Sequence, residues 1–204
     1  MNKKILKALF LISSLSLNIC YAGDVALVLG YQDSTNDETW QQKQVGFGVK
    51  NLVQQNLMDN TTFSLLDEKV VSGFGDKELE NKLQNKWMLD ETKTSAGNLE
   101  KLATENKLNH IFWVKIKGFS SHVAKVSFAF LNSSHYEDTL VLEICHYIAA
   151  TKTIECKESE ANESRTLNGV LYKPMDNVNF KDSGAGRLSQ EAINQSLTEL
   201  LHHE

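Results

Sequence analysis

The run from Asn98 to Phe119 constrains this chain more than any other stretch. Leu99, Leu102 and Ala103 recur at helical spacing, so one apolar stripe can lie on a sheet. Ile111 to Ile116 is β-branched and aromatic, with apolar residues on both alternating faces. That pattern describes an interior strand covered on two sides, not an edge strand facing water. A helix feeding directly into such a strand is half of a helix-on-sheet layer, and the remaining elements must pack around it.

The other elements agree with that frame. Val25 to Leu29 is a second apolar strand, followed by the polar loop Gly30 to Asp37. A helix is expected from about Gln41 to Met58, with Val45, Val49, Leu52, Val53 and Leu57 on one stripe. Phe63 to Asp67 reads as a short strand, which completes a strand–helix–strand unit with a right-handed crossover if its strands are parallel. Lys77 to Trp87 spaces Leu79, Leu83 and Trp87 as a modest amphipathic helix. Val123 to Phe130, Leu140 to Ile148 and Thr153 to Cys156 form an expected antiparallel meander. From Lys157 to Arg187 only Val170-Leu171-Tyr172 interrupts an irregular segment, long for a compact domain. A final helix is expected from about Ser189. The expected fold class is α/β (α+β): a single domain over 23–204, a mixed β-sheet packed by helices, an antiparallel C-terminal meander and a final helix.

The amino terminus has a different character. Met1 to Lys7 is basic, Ala8 to about Ile19 is apolar, and small residues precede Gly23 at Cys20 and Ala22. This describes a secretory signal peptide over 1–22. The competing reading is a membrane anchor, but the apolar run is nearer a dozen residues than the roughly 20 that span a bilayer. Lipidation at Cys20 is a variant, although Ile19 stands where a lipobox wants a small residue. The remaining chain carries 18 basic and 26 acidic residues, a net charge of −8. Such a balance argues against a nucleic-acid partner, which needs clustered Lys and Arg. No second hydrophobic span follows, so stable membrane insertion is not expected.

Cleavage would leave two cysteines, Cys145 and Cys156, and an exported pair is usually a disulfide. A hairpin centred between Ala150 and Thr151 sets them directly opposite each other on one face. Closing that loop is worth about 3 kcal/mol in the chain-entropy model. A Cys/His metal site using His146 fits less well, because neighbours on a strand point to opposite faces.

Chemistry-bearing patterns are sparse. No Gly-x-Ser-x-Gly elbow occurs, and a disulfide would occupy both thiols. His110, His122, His135 and His146 are scattered but could meet in space. Asp33, Asp37 and Glu38 form an acidic loop, and His202-His203 could bind a transition metal adventitiously. Gly73-Phe74-Gly75 and Gly184-Ala185-Gly186 lack the Lys-Ser/Thr of a phosphate-binding loop, so turn chemistry is the simpler reading. No cofactor or metal is expected. Trp40, Trp87 and Tyr172 lie at element edges, where each can serve either partner recognition or the core.

Four pieces in order resemble a family of bacterial cell-envelope proteins that includes the curli-pore protein CsgG, the penicillin-binding-protein activator LpoB and the TolB amino-terminal domain. They are Val25 to Leu29 with its polar loop, Leu52 to Asp67, the Asn98 to Phe119 run, and Gly184 to Ile193. The resemblance implies an α/β sandwich-like domain with a mixed sheet. It does not bring pore formation with it, since Val123 to Phe130 and its neighbours read as too short and too polar to line a barrel. The expectation is an exported, non-enzymatic protein-binding or adaptor domain, periplasmic, at the envelope, or secreted toward a host. The alternative is a secreted metal-dependent or hydrolytic enzyme built from the histidines and the acidic loop. An oligomeric structural role is a third class.

Overall fold

A computed structural model describes residues 24–35, 43–66, 88–128, 131–166 and 180–201. Five strands form one mixed sheet in the order β2-β1-β3-β4-β5. They are β1 (Val25–Asp33), β2 (Ser64–Leu65), β3 (His110–Phe128), β4 (Leu131–Ile148) and β5 (Thr153–Thr166). The helices are α1 (Lys43–Asn60), α2 (Ala96–Asn106) and α3 (Gly184–Leu201), the last preceded by a 3₁₀ turn at Phe180–Asp182. β1 runs parallel to both β2 and β3, whereas β3–β4–β5 is antiparallel.

Two cores follow from the alternation of the central strands. Ala26, Val28, Phe112, Val114, Ile116, Leu142 and Ile144 face α1 and α3, including all five residues of the α1 stripe. Leu27, Leu29, Ile111, Trp113, Cys145 and Tyr147 face α2 through Leu99, Leu102 and Ala103. Burial on both sides of β1 and β3 is what their unbroken apolar runs required. A register shift between Ile116 and Gly118 inserts one extra residue. It lets Ile116 and Phe119 pack on the same side, with Lys117 and Gly118 between them.

The carboxyl-terminal half departs from the sequence pattern. Ile111 to Ile116 and the described part of Val123 to Phe130 are not separate strands, since β3 runs through 19 residues from His110 to Phe128. β4 begins at Leu131, before the expected Leu140, and spans 18 residues. Strand length therefore no longer argues against a barrel, for which about 10 residues suffice; only composition does. β5 extends to Thr166, well past Cys156, so much of the expected irregular segment is strand. Helix α3 starts at Gly184, not near Ser189, because Ser183 caps it: Gly186 N–H donates to Ser183 Oγ at 3.0 Å. The signal-peptide stretch, the expected Lys77 to Trp87 helix and Val170 to Tyr172 lie outside the described residues.

Candidate functional site

Two of the four histidines meet. His110 opens β3, and His146 on β4 stands opposite Phe112, so the two rings share the α1/α3 face on a cross-strand diagonal. His110 Nδ1 and His146 Nε2 are 2.8 Å apart, one donating and the other accepting. Phe63 stacks on His110 with ring centroids 4.5 Å apart, and Phe112 stacks on His146 at 4.1 Å. His110 is 8% and His146 1% exposed. Burial, and then the charge on His110, push His146 down to about 3. The outer nitrogen of His110, Nε2, lies 3.7 Å from Asp24 Oδ2. The facing nitrogens are occupied by each other and flanked by aromatic rings, which leaves only the outer nitrogens, His110 Nε2 and His146 Nδ1, for any other partner. His122 and His135 lie further out on β3 and β4, the latter 3.8 Å from Glu137.

The accessible chemistry lies on the opposite face of the antiparallel strands. Cys145 and Cys156 are directly opposed in register and joined by a disulfide. Cys145 is buried under α2, whereas Cys156 and Ile154 beside it are exposed. Beyond the disulfide the same face carries charges. Glu143 receives Lys115 Nζ at 2.6 Å and Lys117 Nζ at 3.4 Å, and Lys117 also reaches Glu158 at 2.7 Å. Partial burial pushes the Glu143 carboxyl up, but the two lysines more than offset it and leave it below its ordinary range. The hydrogen bond that Lys117 donates to Glu158, and then the charge of Glu143, raise Lys117. Further out, Thr139 Oγ1 donates to Asn162 Oδ1 at 2.6 Å. Lys152 in the β4–β5 turn holds Glu100 of α2 at 2.5 Å, fixing the helix against the hairpin. The lattice of Lys115, Lys117, Glu143 and Glu158 escaped the sequence pattern, because its members come from three different strands.

Metal binding finds little support among the described residues. Glu143, Cys145 and Cys156 bring potential ligand atoms together, but both sulfurs are committed to the disulfide and provide no thiolate. Asp33 Oδ1 accepts from Thr35 N and Thr35 Oγ1 at 2.9 and 2.8 Å, so the start of the acidic loop is a side-chain-closed turn. Gly184-Ala185-Gly186 is buried packing, not a cradle: a Cβ on Gly186 would lie 1.9 Å from the Phe180 carbonyl oxygen. Lys50 on α1 is fully buried, donating to Gln54 Oε1 at 3.3 Å. Trp40, Trp87, Tyr172, Asp37, Glu38, Gly73 to Gly75 and His202-His203 lie outside the described residues.

No family model matches the sequence, and no curated protein does. Solved structures with a related arrangement include lipoprotein GNA1162 from Neisseria meningitidis, at 10% identity and TM-score 0.46, covering 84% of this chain and 96% of that one. The LpoB C-terminal domain from Salmonella enterica matches at 12% identity and TM-score 0.43, covering 74% and 92%. The hypothetical protein CT253 from Chlamydia trachomatis matches at 9% identity and TM-score 0.47, covering 88% and 96%. Likenesses at these scores and identities carry no argument about this chain. Among the described residues no helix is long and apolar enough to cross a membrane.

Proposed function

We propose that this chain is an exported, non-enzymatic protein-binding domain of the bacterial cell envelope, acting in the periplasm, at the envelope or after secretion. The observation that carries the reading is the long β3–β4–β5 ribbon, stapled at its base by Cys145–Cys156. A disulfide persists in oxidising compartments, which fits export. The ribbon presents a polar, charge-paired sheet face with an exposed isoleucine, the mixed character of a non-obligate protein interface. Its lysines and carboxylates alternate in sign, so they select a partner by charge pattern more than by bulk attraction. The histidine pair is buried and its facing nitrogens are spent on each other, which fits a structural role for that contact. The LpoB-like pattern in the sequence supports the same compartment and role.

Crosslinking in the native organism, followed by fractionation of periplasm, outer membrane and medium, tests this reading. It predicts recovery outside the cytoplasm, in oxidised form, joined to a distinct protein. Recovery in the cytoplasm with two free thiols would overturn it.

A further inference from the structure

We propose that β5 is the seam of a symmetric dimer, two copies of this chain pairing their β5 strands antiparallel about a dyad at Glu160. This goes beyond the protein-binding reading and does not depend on it, because it uses the edge of the sheet and not the open face.

β5 is the outer strand of the sheet, and among the described residues no strand lies beyond it. The direction of its hydrogen-bonding groups can be read from the ladder. Cys145 and Cys156 have Cα atoms 4.1 Å apart, the narrow spacing of a pair that exchanges no backbone hydrogen bonds. The N–H and C=O of Cys156 therefore point away from β4. The β4–β5 register is unbroken, so Ile154, Glu158, Glu160, Asn162 and Ser164 point the same way. An antiparallel copy centred on Glu160 sets these outward residues opposite one another: Glu158 against Asn162, Cys156 against Ser164, and Glu160 against itself. Both copies then spend their free backbone groups in one ladder.

The charges of β5 are antisymmetric about the same centre. By register position Glu155 falls opposite Arg165 of the second copy, and Lys157 opposite Glu163, whose Oε1 also accepts from Arg187 of α3, each pair occurring twice by symmetry. Between them Ser159 meets Ala161, two small residues buried beneath α3. These are the closely spaced positions of the new ladder, where cross-strand pairs interact most strongly. A charged edge ordinarily protects a strand from pairing. Here the only like charges directly opposed are the two Glu160 side chains. Shifting the centre to Asn162's neighbour Ala161 would set Lys157 against Arg165, and shifting it to Ser159 would set Glu158 against Glu160. Among these neighbouring centres the opposite-charge pairs favour Glu160, and with it a second copy as the occupant.

Sedimentation of the purified, oxidised protein over a range of concentrations tests the seam. A reversible dimer is expected. Glu155→Arg and Arg165→Glu should each weaken association about tenfold, and the double variant should recover it. Glu160→Gln should tighten it. Glu160→Pro should abolish the dimer while the monomer stays folded by circular dichroism, since the lost N–H faces outward. If that variant does not fold, the charge-exchange pair decides alone. A monomer at every concentration, including one that instead gains mass with a basic extended peptide, would overturn the proposal. So would a dimer indifferent to the single reversals, or a double variant that fails to recover.

Discussion

His110 Nδ1 and His146 Nε2 sit 2.8 Å apart inside the sheet, sharing one hydrogen between two rings that water hardly reaches. A second hydrogen on the facing nitrogens would remove the acceptor and set two donors against each other. The folded value of His146, about 3, lies below the ordinary 6.5. Between those values the unfolded chain binds more protons, so this contribution is fully present above pH 6.5 and is lost as pH falls toward 3. Replacing both residues, as His110→Phe/His146→Phe, should flatten the loss. Urea unfolding at pH 7 and 4.5 should show wild type losing roughly 2 kcal/mol more than the double variant. Equal losses would contradict the account.

The disulfide gives a second expectation. Ellman titration of unfolded, unreduced protein spanning residues 23–204 should find no free thiol, and two after reduction. Cys145→Ala/Cys156→Ala should lower unfolding stability by about 3 kcal/mol. Two thiols without reductant would dissolve both the staple and the argument for export.

Two glycines should respond in opposite directions. Gly186 packs its Cα against the backbone of Phe180 and Lys181, which cannot move aside as a side chain could. Gly186→Ala should cost about 2 kcal/mol or more. Gly97 in the first turn of α2 meets nothing within 4 Å. Gly97→Ala should stabilise by about 0.5 kcal/mol through helix propensity. Thermal unfolding of the two variants separates the cases.

What the sequence disclosed followed burial. β1 and the first half of β3 read correctly because both their faces are apolar, and Val45, Val49, Leu52, Val53 and Leu57 all reach the core. The cysteine register followed from hairpin geometry alone. The outer ribbon was illegible for the complementary reason. Ser120, Ser121 and His122 are exposed on β3, so no alternation marks them, and the backbone ladder carries the strand without a buried face. Polar Glu158 to Thr166 likewise read as loop, and two glycines hid the capped start of α3. The histidine contact spans 36 residues and depends on a diagonal across two strands, a relation visible only once the β3–β4 register is known.

The charge lattice should matter more for recognition than for folding. Lys117 and Glu158 form a half-exposed pair, which solvent screening leaves with little effect on stability. Lys117→Glu should leave thermal unfolding nearly unchanged and reduce recovery of the envelope partner in a pull-down. A large loss of stability with unchanged recovery would make the lattice structural.

The most direct measurement places a photo-crosslinking residue at Thr139 on the open ribbon face, and separately at Glu199 on the exposed side of α3, in living cells. The account predicts a crosslink from position 139 to a distinct envelope protein, weakened by Lys117→Glu, and none to that protein from position 199. Crosslinks to that protein from position 199 alone, or none from the ribbon in correctly exported, oxidised protein, would contradict it.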